Sequence, residues 1–178
     1  MSDGPVKITF PRLPDGTRAY CVVERSDKVR YRVYAGVAGP RVPHDLVHLV
    51  AERSTGQDRG FWGAVAAGAV FSSMRHLDGR RPPHAAERSA AAIRGHSDGL
   101  LRAELMADLV ERVAEERITS VDRVRAVAAE VLSTLPDPTV DESRVIAAAE
   151  SLREVADRWA GLSPGDELVM EWPGPWRH

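Results

Sequence analysis

One cysteine, Cys21, stands in a chain of 178 residues. An intramolecular disulfide is therefore excluded, and with it a disulfide framework or a cysteine-rich zinc site. Aromatic residues are scarce at 6%, which argues against base-stacking platforms. The formal net charge is only −2, so no global field favours nucleic acid or an acidic membrane. The longest uncharged run, residues 60–74, falls short of the roughly 20 apolar residues that span a bilayer. The first residues show no basic segment followed by an apolar one, so no secretory signal is expected and a cytoplasmic location is. P-loop, G-x-G-x-x-G and G-x-S-x-G patterns are all missing, and the NTPase, dinucleotide and serine-hydrolase readings lose their usual signals.

What is present is an ordinary globular composition, 43% apolar and 28% charged. A chain of this length can bury a core without disulfides or a structural metal. The pattern predicts one domain over residues 1–178 with an α+β fold. Residues 1–36 form a β-hairpin region, residues 43–161 a helical region, and residues 166–172 a closing strand. Val6, Ile8 and Phe10 alternate with Lys7 and Thr9, a period of two. Pro14-Asp15-Gly16 is a turn. Residues 18–25 and 28–34 are β-branched and aromatic-rich on either side of Ser26-Asp27, which predicts a tight hairpin. In its second strand Val29, Tyr31 and Val33 should be buried and Arg30 and Arg32 exposed. Residues 166–172 alternate and should pair with an N-terminal strand, giving a small antiparallel sheet packed on helices.

The helical region divides at its glycines and prolines. A short helix is expected from about Pro43 to Arg53, and residues 56–60 break it. A glycine- and alanine-rich helix follows over about 61–74, with Gly63 and Gly68 facing a close neighbour. Residues 75–83 read as a loop, whose Arg75, Arg80 and Arg81 are suited to a phosphate or a partner's carboxylate. A short helix is expected near 85–94, then one capped by Ser97, then one capped by Thr119 or Ser120. Thr139 and Glu142 match a capping box for a last long helix.

One local cluster carries possible chemistry: His44-Asp45-x-x-His48-x-x-x-Glu52. On a helix all four side chains fall within about a quarter of the circumference. Histidines four apart are neighbours and can reach one ion. Imidazole with carboxylate suits zinc, iron or manganese better than calcium or magnesium. His44 and His48 are therefore the candidate metal ligands, with zinc favoured. Asp45 occupies the place of Glu in H-E-x-x-H, where a carboxylate acts as general base beside a metal-bound water. Asp45 and Glu52 are the candidate catalytic carboxylates. A third ligand is expected from His76, His84, His96 or a carboxylate. The string H-D-L-V-H also resembles, over five residues, the H-D-x-x-H of a zinc-binding family in ubiquinone biosynthesis. That family has a further Glu ligand twelve residues after the second histidine, and Gly60 stands there in this chain.

Two function classes follow. One is a small metal-dependent hydrolase or lyase. The other is a non-catalytic interaction or regulatory subunit, in which the polar arc is only the solvated face of a surface helix. The expected partner is a small molecule or another protein, with no nucleic acid and no membrane. Glu104 and Asp108 read as a solvated face, and Cys21 as a small core residue with no local base to activate it. Trp172 and Trp176 in the terminal segment suit either a partner's groove or the protein's own surface.

Overall fold

The computed structural model describes residues 4–173. Five antiparallel strands form one sheet in the order β4-β3-β2-β1-β5. They are β1 Val6–Pro11, β2 Arg18–Glu24, β3 Arg30–Val37, β4 Met74–Asp78 and β5 Glu167–Trp172. Period-two alternation gives the sheet one dry face. Ile8 stands opposite Met170, Phe10 opposite Leu168 and Val6 opposite Trp172, and all six side chains are buried. Val23 and Cys21 on β2 meet Tyr31 and Val33 on β3, extending the same layer. Val29, Tyr31 and Val33 are buried as the alternation predicts. Arg30 is exposed, and Arg32 is half-buried because Tyr20 and Tyr34 flank it.

The helices are α1 His44–Thr55, α2 Phe61–Ala66, α3 Ala85–Glu115, α4 Val121–Val131 and α5 Glu142–Ala160. The fold is α+β, as expected, with the helices supplying Leu46, Leu49, Val50, Met106, Leu109, Val110 and Ala148 to the common core. α1 packs against both α3 and α5, which also pack against each other, and is buried along most of its length, from Leu46 to Glu52. Among the described residues no helix is long and apolar enough to cross a membrane.

Several elements differ from the sequence-based expectation. The region 43–161 is not wholly helical, because β4 lies within it. Only Met74 of β4 is buried, so this edge strand shows no alternation, and its polar residues read as loop. The glycine-rich helix ends at Ala66, not at about 74. Gly68 has φ 107°, a left-handed conformation that ends a helix. An added Cβ there would meet only Arg25 Nη1 at 4.0 Å, so its role is conformational and not close packing. At Gly63 an added Cβ would overlap the Asp58 carbonyl, so that glycine does admit a close neighbour. The two helices expected near 85–94 and after Ser97 are one continuous helix, α3. Ser97 lies within it and donates to the Arg94 carbonyl. The cap of α5 is Asp141, whose carboxylate accepts from the Arg144 N–H at 3.0 Å, and not a Thr139–Glu142 box. Trp172 is buried; Trp176 lies outside the described residues.

Candidate metal centre

Pro43 begins α1 as its N-cap, with φ −58° and ψ 139°. Its carbonyl accepts from the N–H groups of Leu46 and Val47. That start places His44 and Asp45 in the first turn and His48 and Glu52 one and two turns on. Gly56, in the left-handed region with φ 73°, closes the helix. The chain then turns back through residues 57–60 into α2, which brings two backbone N–H groups onto Glu52. Glu52 Oε1 accepts from Phe61 at 3.1 Å, and Oε2 accepts from Trp62 at 3.0 Å. Trp62 in turn donates its ring N–H to the Asp45 carbonyl at 3.1 Å. The first turns of α1 and α2 are thus locked together.

Gly60 makes this possible. An added Cβ would stand 2.5 Å from the Glu52 carboxyl carbon and 2.7 Å from the Ala103 Cβ. The position where the ubiquinone-biosynthesis family carries an acidic ligand is therefore the floor beneath the Glu52 carboxylate.

Glu52 is fully buried, and its Oε1 lies 3.3 Å from His48 Nδ1. Two backbone N–H groups already donate to this carboxylate, and a ring that turns Nδ1–H toward Oε1 adds a third donor. The lone pair of the neutral ring is then on Nε2. That atom is buried and makes no hydrogen bond. Glu104 Oε2, from α3, stands 3.1 Å away at ion-pair distance, without the alignment of a hydrogen bond. Glu104 Oε1 is 3.6 Å from His44 Nε2. The two histidine rings meet edge to face, with centroids 4.5 Å apart. His44, His48 and Glu104 each offer one ligand atom, and these atoms lie within 4.8 Å of one another.

Electrostatics follow from the burial. Desolvation pulls the His48 pKa down, but the Glu52 hydrogen bond and the charges of Glu52, Glu104 and Asp45 outweigh it, and the net shift is upward. Burial raises the Glu52 carboxyl, against the opposing pull of His48 and the two N–H donors. Burial also raises Asp45, against the charges of His44 and His48. Asp45 and His44 line a cleft of about 300 Å³, whose walls include Phe10, Leu13, Cys21 and Trp159. Among the described residues no side chain or N–H donates a hydrogen bond to the Asp45 carboxylate.

The placement of the other candidates is clear. His76 is near the Gly79 carbonyl, His84 pairs with Glu87, and His96 is near the Ala92 carbonyl; none of them is in the cluster. The carboxylate that does join His44 and His48 is Glu104, which sequence reasoning set aside as solvated. Its only local signal was four-residue spacing from Asp108. Its meeting with α1 depends on how two helices far apart in sequence cross. No protein family, no curated protein and no solved structure shows a match to this chain.

Proposed function

We propose that the protein binds a divalent transition metal, zinc favoured, through His44, His48 and Glu104, and acts as a small metal-dependent hydrolase or lyase. The observation that carries this reading is His48 Nε2: a buried lone pair with no hydrogen bond, 3.1 Å from a carboxylate oxygen. Two acceptors at that separation repel unless a proton or a metal cation joins them, and the two compete for the same lone pair. Two ligands at about 2.0–2.2 Å from one ion at a tetrahedral angle stand roughly 3.3–3.6 Å apart. The observed 3.1 Å and 3.6 Å separations need little adjustment to meet that.

Glu52 is then the positioning carboxylate, fixing the His48 tautomer and ring plane as partners of metal-bound histidines commonly do. It is itself held by Phe61 and Trp62. His44 and Glu104 are about half exposed, so the site faces solvent and leaves room for water or substrate. A bound zinc would supply Lewis acidity and a more acidic water. Asp45, which lines the cleft and accepts no hydrogen bond among the described residues, would take a proton from a group bound there.

Titration calorimetry of zinc and of manganese into chelator-treated protein tests the site, with His48→Ala, His44→Ala and Glu104→Ala as comparisons. One site per chain is expected, lost in His48→Ala and weakened in the other two. Equal binding by wild type and all three variants, or binding no tighter than that of a lone surface histidine, would overturn the metal reading and leave the interaction-subunit reading.

A further inference from the structure

The outer face of the sheet carries a separate concentration of charge that strand parity creates. Residues that alternate with the buried Cys21, Tyr31, Val33 and Met74 point to the other side. On β2, β3 and β4 these include Tyr20, Arg32, Tyr34 and Arg75, with Arg18 beside them across a register shift. We propose that this face binds the phosphate backbone of a single-stranded nucleic acid, with Arg18, Arg32 and Arg75 as the main contacts. The proposal is independent of the metal centre, which lies on the helical side.

Three observations support it. First, the three arginines have no carboxylate partner among the described residues, whereas their neighbours do. Arg30 pairs with Asp78 at 2.9 Å and Lys28 with Glu24 at 3.5 Å. Lys7 stands opposite both Glu24 and Glu171, so the β1–β5 half of the face is balanced and the β2–β4 half is cationic. Second, Arg32 and Arg75 are direct register partners. Like charges directly opposite on adjacent strands repel, and a bound anion relieves that repulsion. Arg32 Nε is also buried without a hydrogen-bond partner.

Third, the guanidinium groups are pre-ordered by aromatic rings. Arg18 lies 4.0 Å above the Tyr34 ring centroid, and Arg32 lies 4.4 Å from that of Tyr20. Tyr20 and Tyr34 are themselves register partners in edge-to-face contact, 6.3 Å apart. Stacking fixes the guanidinium planes, leaving N–H edges for phosphate oxygens. The Tyr34 hydroxyl registers the same field: the Arg32 hydrogen bond lowers its pKa against the effect of burial, helped by the charges of Arg32, Arg18 and Arg75.

A chain of phosphates fits this face better than a single small anion. The cations spread over three strands, about 10 Å across. The loop after β4 adds Arg80 and Arg81, both exposed and unpaired among the described residues. The whole chain is nonetheless at −2. Binding is therefore local, modest in affinity and strongly dependent on salt.

Fluorescence anisotropy with a labelled oligothymidylate of about 20 nucleotides tests this, in the presence of a chelator so that metal binding plays no part. Three phosphate contacts predict that affinity falls roughly 20-fold between about 50 and 200 mM salt. Arg75→Ala, an exposed edge position, should lower the slope of log affinity against log salt by about 0.7, and Arg32→Ala likewise. Arg123→Ala, on the exposed side of α4, should change neither. Circular dichroism melts confirm that each variant is folded. No binding at the lower salt, or equal binding by wild type and the Arg18→Ala/Arg32→Ala/Arg75→Ala variant, overturns the proposal. Binding of inorganic phosphate or a phosphotyrosine peptide without the oligonucleotide also overturns it.

Discussion

His48 and Glu52 form a buried pair in which the carboxylate also serves two backbone N–H groups of the next helix, so one side chain orients the histidine and starts α2. Removing Glu52 therefore has two consequences that can be measured apart. Glu52→Ala strands the N–H groups of Phe61 and Trp62 and should destabilise the fold by about 2–4 kcal/mol in urea unfolding. Glu52→Gln keeps the shape and should cost less stability, yet weaken zinc binding by about 10–100-fold. Unchanged zinc affinity in a folded Glu52→Gln protein would show that ring orientation does not depend on this carboxylate.

Proton and metal should act on the protein with opposite signs. The folded-state pKa of His48 is raised above its ordinary value of 6.5. The stability this contributes to the metal-free protein is full below that value and is lost as pH rises through the folded one. Asp45 and Glu52 are also raised, and their contributions likewise fade as pH rises through their folded values. Metal-free protein should thus lose unfolding free energy from slightly acid to slightly alkaline pH. Zinc affinity should rise over the same interval, because a proton on Nε2 excludes the ion. Parallel trends in the two measurements would contradict the assignment of Nε2 as ligand.

At Gly60 a single methyl is enough to disturb the site. Gly60→Ala would press on the Glu52 carboxylate and the Ala103 Cβ. A loss of about 1–3 kcal/mol is expected from overpacking, together with weaker zinc binding. Gly16→Ala, at a turn with open space around it, separates this crowding from conformational strain, since its φ of 81° gives strain alone. If both variants lose stability equally but only Gly60→Ala loses zinc, crowding at Glu52 is the cause of the second effect.

Deleting residues 164–178 should unfold the protein, not trim it. β5 buries Leu168, Met170 and Trp172 against β1. Each such side chain contributes about 1.5–3 kcal/mol, against a typical total stability of about 5–15 kcal/mol. A cooperative thermal transition at the wild-type temperature would refute this.

The sheet was legible wherever one face is wet. Val29, Tyr31 and Val33 alternate with arginines, and Leu168 and Met170 with Val169 and Glu171, so period two identifies the strands and their dry side. β4 was not legible because an edge strand with one buried residue has no period to read. Ser97 read as the cap of a new helix, yet α3 runs through it. At Gly99 the Arg59 backbone crowds the helix, leaving no room for a Cβ. In the candidate centre, the grouping of His44, His48 and Glu52 follows from helical spacing alone. The burial of His48 and Glu52 does not, because it depends on the return of the chain into α2 and on α3 packing over α1. Glu104 is the clearest case: its partner histidines lie on another helix, and no local pattern encodes that crossing.

The pairing of β1 with β5 also sets an order of events during translation. β1 gains its β2 neighbour early, but its other edge waits for Glu167–Trp172, roughly 155 residues later, on the order of 10–30 s at ribosomal speed. Throughout that interval the nascent chain carries an open hydrogen-bonding edge beside Ile8 and Phe10, the exposure that invites intermolecular strand pairing. Yield on expression should therefore respond to elongation rate through the helical segment, which expression at a slowed elongation rate would measure.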